Sequence, residues 1–166
     1  IGKFANKVGL NIDLKSLDLT SSLGSLEDSL INITSAYASI INDGSRARPN
    51  SISKIEDENF NTLYERRLLK SRRIVSKRSL GYIKESLKNV INNGTGGNAR
   101  LYNVDVMGKT GTSQNNRDAW FVGLGNDLVI GIWIGNDDDS PTKGITGGSL
   151  PAILFANIMS KINKLQ

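Results

Sequence analysis

The residues best suited to chemistry lie close together, in Gly108-Lys109-Thr110-Gly111-Thr112-Ser113-Gln114 and, directly after it, Asp118-Ala119-Trp120-Phe121-Val122-Gly123. An ammonium, two hydroxyls and a residue without a side chain, at the end of an apolar strand, make an edge that can hold a carboxylate beside an acyl centre. Lys109 is the candidate catalytic residue. Thr110, Gly111, Thr112, Ser113 and Gln114 are the candidate substrate-binding residues. Lys-Thr-Gly is also the third element of a three-part set, S-x-x-K, S-D-N and K-T-G, in which a serine attacks an acyl group.

The first two elements of that set do not stand in context. Ser51-Ile52-Ser53-Lys54 and Ser140-Pro141-Thr142-Lys143 both spell S-x-x-K. A working pair needs the serine at a helix N-terminus and the lysine one turn later on the same face. Ser51 falls in a predicted strand and Ser140 in a predicted loop. Ser113-Gln114-Asn115 spells S-x-N, but it lies on the tail of the Lys-Thr-Gly-Thr strand and cannot face that strand across a cleft.

The chain has no Cys and no His. It therefore offers no thiolate nucleophile, no Ser-His-Asp triad and none of the commonest zinc ligands, and covalent chemistry falls to Ser or Thr with Lys. No metal or other cofactor is expected. A Walker A loop would need a glycine where Asn103 stands. Gly94-x-Gly96-x-x-Ala99 matches a dinucleotide fingerprint in letters, but it follows a helix and precedes a strand, the reverse of the required order. Asp137-Asp138-Asp139 reads as a surface turn rather than a calcium loop, because Pro141 takes the fifth position and Gly148 the place of the bidentate Glu.

With 166 residues, 38% of them hydrophobic, the chain can bury one core, so one domain or part of one is expected. The longest apolar run, Leu128 to Ile134 broken by Gly131, is far short of the ~20 residues of a membrane helix. Ile1-Gly2-Lys3-Phe4 opens straight into an amphipathic segment without signal-peptide character, as if excised from a longer chain. The formal charge of +5 is densest in Arg66-Arg67-Leu68-Leu69-Lys70-Ser71-Arg72-Arg73. No aromatic residue interleaves that run as a stacking surface would, so it reads as a solvated loop and no nucleic-acid partner is expected.

The elements that position the edge follow from periodicity and caps. A short helix is expected near Ile1 to Val8, closed by Gly9. A second is expected from Ser25, with Asp28 completing its cap, Leu26, Leu30, Ile33, Tyr37 and Ile40 on one face, and Asn42-Asp43-Gly44 stopping it. Pro49 to Ile55 and Leu63 to Glu65 read as a hairpin around Glu56 to Asn61. A strong helix runs near Ser76 to Asn92, with Leu80, Ile83, Leu87, Val90 and Ile91 repeating at three and four. Strands follow at Asn103 to Thr112, Ala119 to Leu124 and Leu128 to Ile134, the last two joined by Gly125-Asn126-Asp127 with a residue at positive φ. Because Leu128 to Ile134 is apolar at nearly every position, it should be a central strand covered on both faces. A last helix begins at Ser149, with Pro151 in its first turn and Leu154, Ile158 and Ile162 along one side. The fold class is α+β, an antiparallel sheet flanked by helices.

These stretches in this order resemble the C-terminal portion of the transpeptidase domain of class A, bifunctional penicillin-binding proteins. The similar segments are Leu23-Gly24-Ser25 through Ala36-Tyr37-Ala38 to Asn42-Asp43-Gly44, Gly94-Thr95, Gly108 to Gln114, Asp118 to Gly123, and Trp133-Ile134-Gly135-Asn136-Asp137-Asp138. Lys-Thr-Gly alone would be weak; the ordered set is specific. The resemblance implies a penicillin-binding-protein and β-lactamase-like fold. It also implies a serine acyl-enzyme that cross-links peptidoglycan stem peptides and is acylated by β-lactams. Carried onto this sequence, it makes Lys109 the charge near the substrate carboxylate and a member of the proton relay. Thr110 and Thr112 become carboxylate ligands, the Thr112 N–H half of an oxyanion hole, and Gly111 the gap for substrate. It further implies a periplasmic site, or the outer face of the bacterial cytoplasmic membrane, with an N-terminal anchor and a glycosyltransferase domain upstream.

In that family the nucleophile, its lysine and the S-x-N motif precede the segment resembling Ile1 to Leu10. The resemblance therefore implies that this chain carries only the C-terminal portion of the domain and is inactive alone. It implies as well that a strand from the N-terminal portion pairs with Leu128 to Ile134, an edge through which the isolated chain could self-associate. A non-catalytic module that binds a partner or cell-wall polymer is the alternative of a different class. An open reading frame continuing upstream into S-x-x-K and S-x-N separates the two.

Overall fold

A computed structural model describes residues 1–24, 26–67 and 72–164. Ser25, expected as a helix cap, and Leu68 to Ser71 of the basic run lie outside the described residues. Helix α1 spans Gly2–Val8 and ends as expected at Gly9, at φ 116°. Helix α2 spans Leu30–Ile41, so it starts later than the sequence suggests. Ser29, not Ser25, is its cap, the Ser29 hydroxyl accepting from the Asn32 N–H at 3.3 Å. Asp28 lies outside the helix, where it accepts from the Asn11 N–H at 2.6 Å and the Asn32 side-chain amide at 2.7 Å. Two serines four residues apart are equivalent as local caps, and the tie from Asp28 to Asn11, 17 positions away, is tertiary. Asn42-Asp43-Gly44 does stop α2, with Asp43 and Gly44 at φ 50° and 75°.

Strands β1 (Lys54–Glu56) and β2 (Thr62–Glu65) form the expected hairpin, shorter than predicted and solvent-exposed at every position. Ser51 lies in a bend before β1, not in the strand. Helix α3 spans Lys77–Asn92, capped by the Ser76 hydroxyl, which accepts from Ser79 N–H at 3.1 Å. Its predicted face is the one it buries, Leu80, Leu87 and Ile91 being inside. Among the described residues, no helix is long and apolar enough to cross a membrane.

Strands β3 (Met107–Thr112), β4 (Ala119–Gly125) and β5 (Leu128–Ile134) form an antiparallel sheet in that order. Asn126 and Asp127, at φ 48° and 59°, make the two-residue β4–β5 turn and fix the register Gly125↔Leu128. Strand β3 begins at Met107 rather than Asn103 because its partner Leu124 is followed by that turn, leaving earlier residues no ladder to join. Strand β5 corrects the sequence reading: β4 is central and β5 lies at the outer edge. Its apolar run is partly covered on each face by a helix instead. Ile130 and Ile132 pack toward the cluster of Ile91, Phe121, Phe155 and Met159, and Val129 toward that of Leu87, Met107 and Leu124. Helix α2 comes so close at Gly131 that a Cβ there would lie 2.0 Å from the Thr34 hydroxyl.

Helix α4 spans Leu150–Asn163 and closes the other face of the sheet. Its buried stripe is Pro151, Ala152, Phe155 and Met159, not the predicted Leu154, Ile158 and Ile162. Leu154 and Ile158 are exposed to 37% and 40%. The helix is apolar almost all round, so periodicity could not choose a face. Phe155 chose it, its ring meeting that of Phe121 at a 55° tilt with centroids 5.2 Å apart and filling the space over Gly123.

Candidate active-site edge

Strand β3 carries Lys109 to Thr112 along the side of the sheet away from β4. An outer strand turns alternate backbone N–H and C=O groups toward its open side, where an extended ligand can pair. Helix α3 packs against the first half of β3, Leu87 beside Met107 and Ile91 near Gly108. Lys109 and Thr112 are exposed, and Thr110 and Gly111 half-exposed.

The alternation of a strand divides the candidates between two faces. Lys109 and Gly111 lie opposite Val122 and Trp120, on the face that α2 covers further along. Trp120 and Trp133 meet there with ring centroids 6.4 Å apart, and the Trp133 Nε1 donates to Asp118 Oδ1 at 2.8 Å. The Lys109 ammonium donates to the Thr110 carbonyl at 2.8 Å. Thr110 and Thr112 point to the α4 face. The Thr110 hydroxyl lies 2.6 Å from that of Thr95, and the Thr112 hydroxyl accepts from the Gly147 N–H at 3.0 Å. Cation and alcohols thus flank a single strand from opposite sides, rather than sharing one face.

Ser113 and Gln114 belong to the connection from β3 to β4. Ser113 Oγ accepts from the Asp118 N–H at 2.7 Å and its own N–H donates to the Asp118 carbonyl at 3.0 Å, closing the turn. Gln114 opens an exposed 3₁₀ turn, Gln114–Asn116, with Asn115 and Asn116 at positive φ. That turn is tied down from the far side of the sheet: Arg117 pairs with Asp139, and the Asn116 carbonyl accepts from both the N–H and the hydroxyl of Thr142. The aspartate run is therefore used as structure. Asp139 serves Arg117, and the hydroxyl and N–H of Ser140 hold the Asp138 carboxyl below its ordinary pKa. Among the described residues, no group of three or more potential ligands could hold a metal ion.

Thr95, Gly147 and Gly148 adjoin the candidate edge, and sequence reasoning gave them no role in it. Thr95 stood in a glycine-rich stretch and in the Gly94-Thr95 segment of the resemblance, without a role, and the two glycines stood only in a loop. The signal was in the letters, a Thr and a Gly-Gly pair without an assigned task, but no local rule brings residues 95, 110 and 147 together.

The description "penicillin binding protein transpeptidase domain" matches residues 4–160. The chain belongs to that family. It is 33% identical over 155 residues to penicillin-binding protein 1B of Vibrio cholerae, which takes in 92% of this chain and 20% of that protein. It is 32% identical over 164 residues to penicillin-binding protein 1A of Clostridium acetobutylicum, 96% of this chain and again 20% of the relative. The class A resemblance is thus shared by relatives of both 1A and 1B type. The chain spans about a fifth of the length of these curated relatives. The structure superposes on penicillin-binding protein 1A from Haemophilus influenzae with a TM-score of 0.82, at 19% identity, over 96% of this chain and 30% of that one. It superposes on the penicillin-binding protein PonA1 from Mycobacterium tuberculosis with a TM-score of 0.81, at 21% identity, over 93% of this chain and 46% of that one. Fold and family agree with the reading from sequence.

Proposed function

We propose that this chain supplies the substrate-binding edge of a peptidoglycan D,D-transpeptidase, the serine nucleophile and its lysine coming from a further N-terminal portion of the same domain. The observation that carries the reading is the placement of Lys109-Thr110-Gly111-Thr112 as an outer strand with its far edge open. A stem peptide, or a β-lactam imitating its terminus, lies along that edge as an added strand. The Lys109 ammonium draws its carboxylate and helps relay protons, Thr110 and Thr112 donate hydroxyls to it, and the Thr112 N–H polarises the scissile carbonyl. Gly111 leaves room against Trp120, whose Cβ a methyl group there would approach to 3.1 Å. Ser113 and Gln114 complete the end of the groove.

The remaining portion of the domain pairs with the outer edge of β5 and covers Leu150, Ile153, Leu154 and Ile158, apolar residues that α4 leaves exposed. In its absence a second copy occupies the same edge, Leu128 to Ile134. The complete protein acts at the outer face of the cytoplasmic membrane, held by an anchor outside this chain.

Incubation with fluorescent penicillin followed by intact-mass analysis tests the reading. The complete protein gains one covalent adduct and the isolated chain none. An adduct on the isolated chain, or none on the complete protein, overturns it.

A further inference from the structure

We infer that Thr95 and the Gly147-Gly148 turn are positioning residues that aim the hydroxyl protons of Thr110 and Thr112 at the ligand carboxylate. The inference rests on the reading of β3 as a carboxylate-binding edge and extends it to residues on two other segments. A threonine hydroxyl has one proton to donate and two lone pairs that accept, whereas a carboxylate only accepts. A useful ligand hydroxyl must therefore keep its proton for the carboxylate and spend its acceptor capacity elsewhere.

Thr112 is arranged in that way from behind, and Thr110 shares its hydroxyl bond with a second threonine. The Gly147 N–H donates to Thr112 Oγ1 at 3.0 Å, so one lone pair is engaged, and no acceptor for the Thr112 proton is found among the described residues. Thr95 and Thr110 share a single hydrogen bond of 2.6 Å between their hydroxyls. Whichever of the two donates, one of the two protons is left over, and Thr95 is exposed where a ligand can reach it. The pair therefore offers one O–H outward and Thr112 a second, two donors for a two-oxygen acceptor.

The turn is fixed in place independently of any ligand. Asn98 Nδ2 donates to the Gly148 carbonyl at 2.7 Å. Ser149 ties the turn to the start of α4, its hydroxyl accepting from Thr146 N–H at 2.9 Å and donating to Thr146 O at 2.8 Å. The buried Gly147 lies directly on the β3–β4 ladder: a Cβ there would stand 2.2 Å from the Trp120 carbonyl oxygen and 2.5 Å from that of Gly111. A Cβ on Gly148 would stand 2.2 Å from the Thr95 carbonyl oxygen. Any side chain at either position lifts the turn and withdraws the N–H from Thr112. Lys109 lies on the opposite face and is not disturbed.

Acylation rates of the complete domain with benzylpenicillin and with its methyl ester, which lacks the anionic carboxylate, test the inference. Thr95→Val, which keeps the side-chain shape and removes the hydroxyl, lowers the rate with the acid about tenfold and leaves the rate with the ester unchanged. Thr95→Ser restores the rate with the acid. Gly147→Ala lowers the acid rate by at least a similar factor. An unchanged acid rate in Thr95→Val, or equal losses with acid and ester, overturns the inference while wild-type acylation leaves the proposed function standing. A wild-type domain that is not acylated, or that does not prefer the acid, overturns the proposed function itself and this inference with it.

Discussion

The two faces of the β3–β4–β5 sheet are finished to different degrees. On the α4 face, Phe121, Ala152, Phe155 and Met159 are fully buried, and the turn before α4 is bonded to the strand it covers. On the opposite face, α2 and α3 cover the end that holds Met107, Leu124 and Val129, while the end with Lys109, Gly111, Trp120 and Trp133 stays open, Trp133 exposed to 38%. The closed face is a support that one segment of chain completes from its own side chains. The open end carries the cation and the aromatic pair, and under the proposed function its counterpart comes from the rest of the domain. A binding edge is precise when its support is rigid. The packing of Phe121, Phe155 and Met159 holds the strand whose Thr110 and Thr112 hydroxyls lie on the closed face and whose Lys109 lies on the open one.

Mutations can break this contrast by acting on one face only. The largest effect is expected from Phe155→Ala, which empties the centre of the closed face and costs about 3–5 kcal/mol in chemical denaturation of the isolated chain. A cost below 1 kcal/mol would mean that this face is not the support described. Lys109→Ala should do the reverse: acylation of the complete domain falls about 100-fold, with stability unchanged within about 0.5 kcal/mol, because the side chain is exposed. If Lys109→Ala unfolds the domain, the division into support and chemistry is wrong.

Smaller changes sharpen the picture at the helix starts. Ser76→Ala removes the α3 cap and should cost about 1 kcal/mol, whereas Ser25→Ala should cost nothing measurable, since Ser29 is the cap of α2. Acid should loosen the start of α2. Burial raises the Asp28 pKa, but hydrogen bonds from Asn11, Asn32 and Ser29 outweigh it and bring the carboxyl below its ordinary 3.8. A depressed folded-state pKa contributes stability above pH 3.8 that is lost as the pH falls through the lower folded value. Asp28→Asn should therefore flatten the acid limb of the stability curve below the ordinary carboxyl pKa of 3.8, measured by urea denaturation; an unchanged limb would remove Asp28 from the account.

Much of this arrangement was legible in the residues. The Ser76 cap and the three-and-four repeat of Leu80, Leu87 and Ile91 are local, as are the Gly9 stop and the positive-φ pair Asn126-Asp127, so each reported its element directly. Lys109 to Thr112 was legible as an outer strand of the sheet, and the acyl-binding role proposed for it is the one those residue types in sequence would suit. The misreadings have one origin. Ser25 or Ser29 as cap, the buried face of α4 and the edge position of β5 are choices among locally equivalent options, settled by contacts from distant segments.

The sequence by itself therefore determined the helices and the hairpin turns, the family, and the strand that carries the candidate residues, since all of these are written in residue type and short-range period. Only the tertiary structure decided which face each hydroxyl takes and what stands behind it. The meeting of Thr95, Thr110, Thr112 and Gly147 depends on hydrogen bonds across 15 and 35 positions of chain, which no short-range period specifies.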